Sequence, residues 1–135
     1  MSVRRVINFF TSWAVTWTVN GAIIGIILGL GDTGHVGFLL TVLIFVTAGA
    51  IFGVVDGFAF APLFTWLAPQ LPARSGRTGV AVVLGTLSGL LGSYVADSFM
   101  SIAHASAIGS VAGAITGSVC GALSRGESGH HRDAA

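Results

Sequence analysis

Within and between the apolar stretches of this sequence, five carboxylate and imidazole side chains could bind a proton or a metal ion: Asp32, His35, Asp56, Asp97 and His104. Asp32 and His35 are three residues apart, so on a helical turn they could face one another. Asp97 and His104 flank a second turn. Carboxylate and imidazole together suit zinc or another divalent ion, or a proton relay. Asp and His are also ordinary turn residues, so convergence of the two turns is what would make Asp32, His35, Asp97 and His104 a metal site. His35 and His104 are in addition the residue type that ligates haem or a pigment.

Asp56 and Asp97 form a second set, able to handle an ion or a proton. Asp56 stands inside an apolar stretch, and an acid there is a functional hypothesis by default. It follows Phe38 by a helical run of about 27 Å, which predicts a place near the cytoplasmic boundary, and on a helical wheel it falls beside Gly49 and Gly53. Arg74 or Arg77 is the expected partner if its role is structural. Asn20 lies midway along the first apolar run and opposite its glycines, so it predicts a second helix interface. Cys120 reads as a small packing residue and His130-His131 as a solvated pair. Nucleophile elbows, phosphate loops, cysteine pairs and zinc-protease motifs do not occur, so the expectation is a protein that is not an enzyme and binds no cofactor.

The elements that must position these groups are membrane helices. Of 135 residues, 53% are hydrophobic and 8% charged, against roughly 25% charged in soluble domains. A net charge of +1 with no basic stripe argues against a nucleic-acid partner. A crossing needs about 20 apolar residues, and four such stretches are predicted, at 13–31, 38–58, 80–96 and 102–123. Trp13 and Trp17 are expected at the headgroup boundary. The aromatic stretch 59–69, punctuated by Pro62 and Pro69, is expected to lie along the membrane surface, with a kinked extension of the second helix as the alternative. Gly31–Gly37 and Asp97–Ser101 read as turns, and 124–135 as a disordered tail.

Small residues recur every four positions in each crossing. They are Gly21, Gly25 and Gly29; Gly49, Gly53 and Gly57; Gly85 and Gly89 between Ala81 and Ser93; and Gly109, Gly113, Gly117 and Gly121. A four-residue step turns a helix by about 400°, so each set forms one face. Glycine costs about 1 kcal/mol relative to alanine within a helix, which close backbone packing against a neighbour in lipid can offset. The expected fold is an all-α membrane protein of four transmembrane helices, two glycine-zipper hairpins packed as a small bundle.

All six basic residues are arginines, in three places that an even number of crossings puts on one side: before the first helix, between the second and third, and after the fourth. The positive-inside rule then predicts cytoplasmic termini, in what reads as a bacterial cytoplasmic membrane. The leading functional expectation is a small multi-pass protein that assembles through its glycine faces, with itself or as an accessory subunit of a larger membrane complex. The alternative is a small pore, a holin-like protein or a proton- or ion-coupled transporter that uses Asp56 and the outer Asp and His residues.

Overall fold

The computed structural model describes residues 3–31, 34–71, 74–100 and 104–123. They form α1 (Val3–Gly29), α2 (His35–Leu67), a single 3₁₀ turn (Ala68–Gln70), α3 (Arg74–Met100) and α4 (Ala105–Leu123). All four helices are long and apolar enough to cross a membrane. Their outward faces carry large aliphatic and aromatic side chains, among them Val19, Leu43, Val55, Leu91 and Val111. Only a lipid or protein surround makes such surfaces stable, because in water each would lose the favourable free energy of burial.

Helix bounds differ from the sequence expectation in informative ways. α1 begins at Val3, not at 13, so Trp13 lies in its third turn and not at its edge. α2 runs through Pro62 as far as Leu67, which replaces the expected surface segment 59–69 with a continuous helix. Proline removes one backbone donor. Ending the helix there would strip several backbone groups of their partners in an apolar medium, a larger cost. α3 starts at Arg74 and ends at Met100, so Asp97 is helical and not in a turn. The tail 124–135, with His130 and His131, lies outside the described residues.

α1 packs chiefly on α2 and α3 chiefly on α4, with narrower contacts joining α1 to α4 and α2 to α3. Gly21 lies against Phe45 and Gly49, whereas Gly57 lies against Phe10 and Trp13, so α1 and α2 run antiparallel. In the second pair Gly89 meets Gly109, Gly85 meets Gly113, and Gly117 meets Ala81, again antiparallel. A Cβ on Gly113 would overlap the carbonyl oxygen of Gly85, and one on Gly117 the carbonyl oxygen of Ala81. The α1–α2 contact is comparably close at its centre, where a Cβ on Gly21 would overlap the Phe45 carbonyl oxygen and one on Gly49 the Trp17 carbonyl oxygen, and it eases to either side. A Cβ on Gly25 would stand 2.9 Å from the Val42 Cα, and one on Gly53 would stand 2.8 Å from the Trp17 Cβ.

Candidate functional site: a buried carboxylate at the helix seam

The glycine faces occupy one contact of each helix. A second buried face lies one residue before them: Thr16, Asn20 and Ile24 on α1; Phe52, Asp56 and Phe60 on α2; Leu84, Ser88 and Gly92 on α3; Ala112, Thr116 and Cys120 on α4. Each of these residues except Thr16, which precedes Trp17, immediately precedes a small residue of the first face. The offset has a geometric cause. One residue turns a helix by about 100°, close to the right angle between two neighbours in a four-cornered arrangement. Because chain direction alternates round the corners, the same sign of rotation serves every helix.

This second face carries Asn20, Asp56, Ser88 and Thr116, the buried polar side chains of the described residues apart from Ser93 on the first face. Asp56 is 8% exposed, and its Oδ2 accepts hydrogen bonds from Trp13 Nε1 at 2.9 Å and from the Ser88 hydroxyl. Three helices therefore meet at one carboxylate oxygen. One turn away, Trp17 packs edge-on against Phe52 at 4.9 Å between ring centroids, and the Phe52 ring fills the space beside Gly92. One turn in the other direction, Trp13 stacks on Phe60 and Phe9 on Phe64. Asp56 thus sits in a polar layer sandwiched between aromatic ones. The Trp17 Nε1 is itself buried without a hydrogen-bond partner.

A second polar contact joins α1 to α4. Asn20 Nδ2 donates to the Ala112 carbonyl oxygen and to Thr116 Oγ1, both at 2.9 Å. Thr116, wholly buried, donates in turn to Ala112. Asn20 occupies the second helix interface its position predicts, and that interface lies within the chain.

The remaining sequence-predicted groups do not join this site. Asp56 lies within α2, with Gly57–Leu67 continuing about 17 Å beyond it. Its partners are Trp13 and Ser88, not Arg77, whose Nε is buried in the first turns of α3 without a partner; the Arg74 side chain is outside what the structure describes. Asp97 is exposed near the end of α3, and His104 is exposed in the turn before α4, with φ of 61°. His35 opens α2 with its side chain undescribed, and Asp32 lies outside the described residues. Among the described residues, no three His, Cys, Asp or Glu side chains converge as a metal site would require.

Three residues that pack on or near Asp56 are not singled out for that place by the sequence: Trp13, Ser88 and Gly92. The signal for Trp13 is present, because the step that marks Gly21, Gly25 and Gly29 runs back through Trp17, Trp13 and Phe9, all buried. Ser88, Gly92 and Ala96 likewise form a second small-residue row on α3, one position off the first. Comparison with protein-family models, curated proteins and solved structures finds no match to this chain.

Proposed function

We propose that this chain is a small, non-enzymatic multi-pass membrane protein built from two glycine-zipper hairpins. It assembles with copies of itself or as an accessory subunit of a larger membrane complex. The observation that carries the reading is the division of labour between faces. The glycine faces meet one another inside the chain, and the polar groups of the second face are bonded between helices of the same chain. What is left outward is apolar and extensive, a surface suited to lipid and to other membrane helices. Assembly then uses the outer faces and not, as expected from the sequence, the glycine faces, because the glycines are engaged within the chain and hold the unit that assembles. The arginine distribution supports cytoplasmic termini in this reading. Measuring the protein mass in mild detergent tests it: a defined multiple of the chain, or a fixed stoichiometry with other subunits, is expected. A lone monomer across the accessible concentration range would overturn it.

A second reading, a proton- or ion-coupled transporter or small pore, is favoured by one observation: an acid buried at a three-helix junction inside a span. Such groups mark ion paths by default. Asp56→Asn should then abolish a flux measured in vesicles while leaving assembly intact. Absence of flux with the wild-type protein would remove this reading.

A further inference from the structure

The two donors to Asp56 both reach Oδ2. A neutral carboxylic acid has that asymmetry: its carbonyl oxygen offers two lone pairs, and the other oxygen holds the proton. The surroundings point the same way. From α1 the side chains at and one turn from the contact are Phe9, Trp13 and Trp17; from α3 they are Leu84, Ser88 and Gly92; from α2 itself they are Phe52 and Phe60. None of these carries a charge. Along the packed helices, Arg5 precedes Trp13 by about 12 Å and Arg77 precedes Ser88 by about 17 Å. From α4, the titratable group on the facing side is the Cys120 thiol, buried near Thr16. An ionised carboxylate here would therefore have donors but no counter-charge, in a medium where an unpaired charge is costly.

We propose that Asp56 is a reversible proton-binding site. It is a neutral carboxylic acid while α3 is docked on α2, and it releases its proton only when that seam admits water. The proton sits on Oδ1, and Oδ2 is the carbonyl oxygen that holds Trp13 and Ser88. No bond other than O–H forms or breaks, and water in the opened seam takes the proton. The α2–α3 contact is narrow, consisting at this level of the Asp56–Ser88 bond and the Phe52–Gly92 contact. Loss of the proton leaves a charge that the aromatic layers cannot solvate, so ionisation and separation of α3 occur together. The unbonded Trp17 N–H one turn away gives incoming water a donor to meet.

This inference rests on the placement of Asp56 used in the transport reading but not on flux. The test is infrared difference spectroscopy of the full chain in phosphatidylcholine vesicles, titrated from acid to alkaline pH. A carboxylic-acid carbonyl band is expected at neutral pH, lost on alkalinisation and absent from Asp56→Asn. That variant keeps a carbonyl to accept both bonds and so should stay folded. Ser88→Ala removes one donor from Oδ2 and should move the band to higher frequency without abolishing it. Titration of Trp fluorescence in step with the band is expected in wild type and not in Asp56→Asn. A neutral-pH spectrum with no Asp56-dependent acid band, or a band indifferent to Ser88→Ala, would overturn the proposal. Titration without vesicle flux would end the transport reading and leave this one standing. Flux without the band would do the reverse.

Discussion

Gly85 and Gly113 meet backbone to backbone: a Cβ on either would overlap the carbonyl oxygen of the other. Contact of this kind leaves no flexible side chain to move aside, so any substitution must push two helices apart. Gly113→Leu places a whole isobutyl group there and should destabilise by at least the about 1–3 kcal/mol typical of overpacking. Val111, 61% exposed on the outer face, accepts Leu with little change. Thermal unfolding of both variants in detergent checks this; equal melting temperatures would show that α3 and α4 do not pack through these glycines.

Glycines of one face should not respond equally. At Gly121 the nearest atom to an added Cβ is the Ala81 Cβ at 3.1 Å, a contact that a few tenths of an ångström relieves. Gly121→Ala should therefore be close to neutral, helped by the better helix propensity of alanine. Gly113→Ala, with the same added methyl, should lower the melting temperature clearly. A common response to the two alanines would mean that spacing, and not local clearance, sets the cost.

Asn20→Leu removes two hydrogen bonds between α1 and α4. The loss should be modest, about 0.6–1.7 kcal/mol as for interhelical hydrogen bonds in membranes, because Thr116 keeps its own bond to Ala112. Unfolding of the reconstituted protein reads this directly. A much larger loss would indicate that Asn20 carries more than the two bonds described.

Topology is tested by reporter fusions at Gly34, Ser75 and Ala135, expected to read outside, inside and inside. An outside reading at Ser75 would reverse the orientation that the arginines imply.

The four-residue rows were legible in the sequence because small side chains at a fixed step have one main physical use in an apolar helix. The second face was less legible because it mixes types: Asn20, Asp56, Ser88 and Thr116 share a position relative to the glycines but no chemistry. Trp13 shows the ambiguity most plainly. A tryptophan near the start of an apolar run suits the headgroup boundary, and it equally suits a buried donor to a carboxylate. Only α1 starting at Val3 and the aromatic end of α2 continuing to Leu67 decide between them. Pro62 misled for a similar reason: its cost is fixed by what ending the helix would expose, and that depends on the surrounding medium.

α2 is 33 residues long, about 50 Å at 1.5 Å per residue, whereas a bilayer hydrocarbon core is about 30 Å thick. Even a steep tilt of about 40° leaves several ångströms of mismatch. The excess must lie among the headgroups, and the end beyond Pro62 is suited to that, since Trp66 is exposed there and Trp favours that zone. A helix of this length is therefore sensitive to membrane thickness. As acyl chains lengthen, α2 can stand more upright. If its tilt is set by the bilayer, the melting temperature in vesicles should rise with chain length until the mismatch closes.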